Sequence, residues 1–174
     1  MEQLDRYLLL AKEKGIDHAA VIATSKVYTA PWVKMKCQFG CFFYNRSFCC
    51  PPRTPPPEEM RKILDSYTHA ILLHKLWKEG VRDIRSFNES VVELELALFF
   101  DGYYKAWGLG SGPCRGCEKC NITGEACLHS DKARPAMEAC GIDVFRTAAE
   151  NSLSFPVLKH TNEDRNSFGL VLVE

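Results

Sequence analysis

Charge of one sign is missing from this sequence: 22 lysines and arginines face 22 aspartates and glutamates across 174 residues. A zero formal balance supplies no global field for nucleic acid or an anionic membrane, so neither is expected as a partner. Long apolar runs are missing too, and no stretch approaches the ~18 residues that span a bilayer. The short run Leu8-Leu9-Leu10 is bracketed by Asp5, Arg6, Lys12, Glu13 and Lys14, which is not the pattern of an export signal. There is no internal repeat, no low-complexity tail, no Walker loop and no dinucleotide fingerprint. No serine or cysteine nucleophile has a suitably spaced histidine. The chain therefore reads as cytoplasmic, and several common enzyme classes drop out.

What is present bounds the rest. Domains centre on ~100–150 residues, so 1–174 is expected to form one metal-binding domain rather than separate cofactor and substrate halves. A hydrophobic fraction of 46% with 25% charged residues excludes a disordered, collagen-like or coiled-coil chain. Cysteine is the outlier: nine occur, at 37, 41, 49 and 50, then at 114, 117, 120, 127 and 140. A secreted disulfide scaffold is shorter, denser in cysteine and even in count, so these thiols are expected to stay reduced for a metal.

Apolar spacing predicts a helix over Gln3 to Lys14, stopped by Gly15. Ala19 to Ala23 reads as a buried strand, and Val27 to Lys36 as extended chain broken at Pro31. The first cysteine loop, 37–57, has five prolines in its last seven residues and cannot be helical there. Glu58 to Ser66 reads as a short helix opened by Pro57, and Tyr67 to Trp77 as a central strand. From Asp83 the apolar spacing becomes that of a long helix running to about Ala106. Gly108, Gly110 and Gly112 then lead into the second cysteine loop, 112–140. Short helices are expected at Lys132 to Ala139 and Val144 to Glu150, and a terminal hairpin from Phe155 to Lys159 and Ser167 to Val173. The fold class is α+β: a small, mostly antiparallel sheet packed on a long central helix, with two cysteine-rich metal-binding loops.

Cys114, Cys117 and Cys120 stand two residues apart, and Cys127 follows after six more. Three successive ligands at this spacing are typical of cubane iron–sulfur sites, whereas structural zinc usually takes its ligands as two separated pairs. A 4Fe–4S cluster with Cys127 as fourth ligand is thus favoured over zinc. Cys37, Cys41 and Cys50 form a second set, and Cys50 precedes Pro51 as ferredoxin cysteines precede proline. Three ligands leave one position open. Cys140 is a candidate for it, although a small buried thiol is its blander role. Cys49 and Cys50 are adjacent and should point to opposite sides, so they should not share a metal.

These residues carry a resemblance. Lys36-Cys37-Gln38-Phe39-Gly40-Cys41, Cys50-Pro51-Pro52, Gly102-Tyr103-Tyr104-Lys105-Ala106, the second cysteine run and Lys132 to Asp143 together resemble an uncharacterised domain-of-unknown-function family. That family is described as predicted metal-binding proteins, cysteine-rich and frequent in anaerobic bacteria and methanogenic archaea. The likeness covers Trp32 to Glu174. It implies metal binding through Cys37, Cys41 and Cys50 and through Cys114, Cys117, Cys120 and Cys127, and no particular reaction; Cys49 lies outside the pattern.

Elsewhere, Glu95 falls inside the apolar arc of the long helix, where a carboxylate is expected to be paired with a buried cation. Arg134 suits an anion, a cap or a surface pair. His129, alone after Cys127, reads as a surface or hydrogen-bonded residue, and Tyr103, Tyr104 and Trp107 as core. The leading function is an iron–sulfur protein with one or two clusters and a redox role in anaerobic metabolism, its partner a redox protein or a small-molecule substrate. The alternatives are an enzyme using an open iron, a zinc-stapled structural or interaction module, and a thiol redox sensor.

Overall fold

The computed structural model describes residues 2–153, 155–160 and 162–174. Among these the order is α1 (Asp5–Glu13), β1 (His18–Ala23), α2 (Pro31–Gly40), α3 (Pro57–Asp65), β2 (His69–Trp77), α4 (Ile84–Phe100), β3 (Trp107–Leu109), α5 (Val144–Glu150) and β4 (Arg165–Leu172). The strands form one antiparallel sheet in the order β1-β2-β4-β3. The class is α+β, as the sequence implies.

Strand periodicity builds two cores. Ile71 and Leu73 of β2, with Val171 of β4, face α1 and α4 and bury Tyr7, Phe87, Val91 and Leu98. Ala70 and Leu72, with Leu170 and Leu172, point the other way onto Met60 and Leu64 of α3 and Ala148 of α5. The sheet, rather than the long helix, is thus the middle layer. Asp83 caps α4 by accepting from the Ser86 amide at 3.0 Å. The helix ends at Phe100, short of the expected Ala106. Gly102 (φ +100) turns the chain, its amide donating to Phe99 at 3.0 Å and that of Tyr103 to Leu98 at 3.1 Å. Part of the broad apolar stripe stays outside, with Phe100 79% exposed.

Three other expectations are corrected. Residues 31–36 are helical, not extended, and the helix takes in 37–40 of the expected loop, because Pro31 occupies the first helical position after an extended Ala30, where its fixed φ starts a helix. Lys132 to Ala139 forms only a 3-10 turn at Glu138–Cys140, since Pro135 lies in a segment bridged through Ala136 to Gly110, just beyond β3. Residues 155–159 form no strand with β4, whose two edges are already taken by β2 and β3; position 154 lies outside the described residues. β3 was not expected.

Candidate metal centre

Cys37 lies in the last turn of α2 and Cys41 just beyond its end. The Cys37 thiol approaches the Glu138 carbonyl at 3.9 Å, which sets it against the 138–140 turn. Beyond Cys41 the chain is a series of turns held by local bonds. The Asn45 amide donates to Pro51 at 2.9 Å, the Cys50 amide to the Ser47 carbonyl at 3.2 Å and the Cys49 amide to the Ser47 hydroxyl at 3.2 Å. The Lys34 ammonium donates to the Thr54 carbonyl at 3.2 Å, and the Thr54 hydroxyl donates to the Ala139 carbonyl. The proline-rich loop is thereby pinned at both α2 and the 138–140 turn. Cys49 and Cys50 are buried, Cys140 is buried in the core, and Cys41 is exposed.

The second group hangs from a clip at the end of β3. The Gly110 amide donates to Pro135 at 2.8 Å and the Met137 amide returns to Gly110 at 3.1 Å, closing the base of the loop. Asn88 of α4 holds the same point, accepting from the Ser111 amide at 2.9 Å and donating to its carbonyl at 3.2 Å. A Cβ on Gly110 would lie 2.3 Å from the Asn88 Oδ1, so only glycine admits this approach. Glu95 supplies the second anchor. Its carboxylate accepts from Arg134 Nε at 2.6 Å, from Arg134 Nη2 at 2.7 Å and from the Gly108 amide at 2.7 Å. Arg134 also caps the Ser130 and Ala133 carbonyls and covers the Trp107 ring at 4.4 Å. Between these anchors, 111–135 carries no helix or strand. Cys114, Cys117, Cys120 and Cys127 all lie there, each half-buried and free.

The two groups, separated by more than sixty residues of sequence, meet in space. The Cys49 and Cys114 thiols stand close enough to shift one another's ionisation. The Arg115 guanidinium sits over the Phe43 ring at 4.7 Å, while its carbonyl accepts from Arg85 at 2.7 Å. Cys114 is pulled down to about 6, by the Cys49 thiol first, then by the Gly116 amide and His129, against its burial. Cys49 moves up correspondingly, with burial adding to the shift. Burial pushes Cys37 up to about 11, and negative charge on Cys41, Glu138 and Cys50 adds to it. Burial, offset by the Ser47 hydrogen bond, raises Cys50, with Cys41 as its largest thiol neighbour and Cys114 and Cys120 behind. Partial desolvation, then Cys120, Cys114 and Cys127, raises Cys117. Burial drives Cys140 up to about 12.

Among the described residues no three cysteine, histidine, aspartate or glutamate side chains converge on one point. The donor set still suits a thiolate-bound metal, because neighbouring thiols that oppose one another's ionisation are relieved by a shared cation. Cys37, Cys41 and Cys50 are electrostatic neighbours, as are Cys114, Cys117, Cys120 and Cys127, and Cys50 also feels Cys114 and Cys120. Sequence reasoning set Cys49 aside, yet its thiol joins the two. The doubled Cys49-Cys50 was the available signal, read only as a conflict of directions. The Asn88 clip and the Arg115–Phe43 contact had no sequence signal.

Residues 20–173 match the model of a family described as predicted metal-binding protein (DUF2284), and the chain belongs to that family. Searches of curated proteins and of solved structures each gave no match. Among the described residues no helix is long and apolar enough to cross a membrane.

Proposed function

We propose that this metal-binding protein forms a single domain, 1–174, that carries a 4Fe–4S cluster on Cys114, Cys117, Cys120 and Cys127 and a second cluster on Cys37, Cys41 and Cys50, with a redox role in the cytoplasm of an anaerobe. What supports the reading most is the meeting of the two cysteine loops, with Arg115 over Phe43 at 4.7 Å and Cys49 close enough to Cys114 to shift its ionisation. Bound clusters supply one-electron transfer, and adjacent ones form a relay. The chain's own part is to hold the sulfurs, through the clip at Gly110 and the Glu95–Arg134 pair for one group and through the Lys34 and Thr54 bonds for the other. Anaerobic purification with iron, zinc and acid-labile sulfide analysis tests it. Iron with matching sulfide and broad absorption near ~400 nm is expected. A colourless protein with stoichiometric zinc overturns it in favour of a structural or interaction module.

One observation favours an enzyme as the second reading. The first group offers three thiolates, and catalytic metal sites keep such a position open while structural ones close it. A cavity of about 380 Å³ has Cys37 and Cys41 in its wall. Cyanide or sulfide added to the reduced protein should perturb one cluster's spectrum and leave the other unchanged. Should only Cys140→Ser respond, Cys140 is the fourth ligand and the electron-transfer reading stands.

A further inference from the structure

The cavity beside Cys37 and Cys41 has a lining of its own, built by α2, α5, β4 and the segment before β4. Its volume of about 380 Å³ falls within the range that encloses a small molecule. The walls are aromatic. Phe155 stacks on Phe145 at 4.5 Å and on Phe168 at 4.7 Å, with interplanar angles of 27° and 29°, and Trp32 lines the same space. Phe145 and Trp32 retain 44% and 43% of their surface, so apolar area remains for a ligand to cover.

The charge in the lining is one-sided. Lys36, Arg82 and Arg165 contribute three cations against the one carboxyl group of Glu138. Arg82 and Arg165 stand close enough to repel, and that repulsion, after burial of the guanidinium, lowers the Arg82 pKa while Glu138 acts against it. An anion at the edge of this apolar space gains from the Arg82 guanidinium, whose geometry suits carboxylate and phosphate, and from the Lys36 ammonium.

We propose that this cavity binds a small organic anion with an aromatic or branched apolar body, its anionic group on Arg82 and Lys36 and its body against Trp32, Phe145 and Phe155. Occupancy places the ligand beside Cys37 and Cys41, which would give the enzyme reading a substrate class. The inference does not rest on that reading, because the aromatic walls and the basic groups are the same whichever metal the cysteines hold.

Isothermal titration calorimetry on the full chain, purified anaerobically with its own metal, provides the test. Phenylacetate serves as the probe, with acetate and phenethylamine as the two halves of its chemistry. Phenylacetate should bind saturably at one site, with acetate and phenethylamine each at least about tenfold weaker, as expected when one charge-assisted contact or the apolar body is lost. Arg82→Gln and Phe145→Ala should each weaken phenylacetate by a similar factor, while Phe100→Ala, on the far side of the sheet, leaves it unchanged. If Arg82→Gln melts early, Lys36→Gln, exposed on α2, tests the same charge. Absence of binding, equal binding of phenethylamine, or full affinity in both charge variants overturns the proposal. A zinc-loaded protein that binds phenylacetate as expected overturns the cluster reading alone, and an iron–sulfur protein that does not bind it overturns this inference alone.

Discussion

The Glu95–Arg134 pair lends itself to a quantitative test. Both side chains are nearly inaccessible, at 7% and 5%, and the carboxylate accepts three bonds of 2.6–2.7 Å, two from Arg134 and one from the Gly108 amide. Removing the arginine leaves a buried carboxylate with one donor, and breaking a buried pair in this way costs about 3–5 kcal/mol. Exchanging both partners for apolar residues of similar volume leaves no orphan charge and is often close to neutral. Arg134→Met should therefore lower stability by about 3–5 kcal/mol, and Glu95→Leu/Arg134→Met should recover most of the loss, apart from the orphaned Gly108 amide at about 1–3 kcal/mol. For a chain of this size each kcal/mol shifts Tm by about 2–4 °C, so the single variant should melt about 6–20 °C lower. Urea and thermal unfolding of the metal-loaded protein measure both values. The position of Arg134, between Cys127 and the clip at Ala136, adds a second readout: hydrogen exchange at Ala133 to Met137 should accelerate in the single variant. The reasoning fails if Arg134→Met costs under about 1 kcal/mol, or if the double variant is as unstable as the sum of the singles.

Replacing Cys117 with Ser should remove the metal of the second group and lower stability by several kcal/mol, because the loop's order depends on it; metal analysis and urea unfolding decide. Cys49→Ser should retain full metal content while Cys50→Ser loses the first site, and the opposite pattern would reverse the ligand assignment. Gly110→Ala forces its Cβ into Asn88, so exchange protection at Ser111 and Met137 should fall together with stability, and an unchanged variant would mean that the clip does not bear on the loop. Burial and neighbouring charge hold Cys37 at about 11 and raise Cys50 and Cys117, so these thiols are protonated at neutral pH. Metal uptake must release those protons, and apparent affinity should rise steadily from pH 6 to pH 9, as competition with a chelator measures; a flat profile would show the thiols already ionised.

Local pattern reaches a definite depth in this chain. Ala70 to Leu73 reads as a central strand because all four residues are apolar, and the sheet buries them alternately on two faces. The seven-residue helix α5 is legible from Val144 to Glu150, with Asp143 accepting from the Arg146 amide at 3.0 Å as its cap. Pro31 was misread because proline both breaks and begins helices, and what selects beginning here is the pairing around it. The Ala30 amide donates to Gly141 at 2.9 Å and that of Asp143 to Tyr28 at 2.8 Å, contacts across more than a hundred residues. The strand expected at 155–159 failed for a topological reason, since β4 has no free edge. Helical spacing placed Glu95 among apolar residues and so called for a cation, but its partner lies 39 residues away. In the same way the cysteine positions are plain in the sequence, while the meeting of Cys49 with Cys114 is a product of tertiary structure.

The segment from Ala136 to Asp143 explains how two loops so far apart in sequence come to share one place. At its start Met137 closes the clip under the second cysteine group, and its side chain is fully buried in the core between the sheet and α3. At its middle the Glu138 carbonyl faces the Cys37 thiol, and the Ala139 carbonyl accepts from Thr54 of the first cysteine loop. At its end Gly141, in the left-handed region at φ +78, lets the chain turn back within van der Waals range of Pro57, where a Cβ would come to 2.6 Å. The strut therefore touches both cysteine groups and is itself fixed by the core. A metal that orders either loop reduces the freedom of the strut, and the second loop then has less order left to acquire. Binding at the two groups is coupled on this account with a favourable sign, and linkage makes the coupling reciprocal.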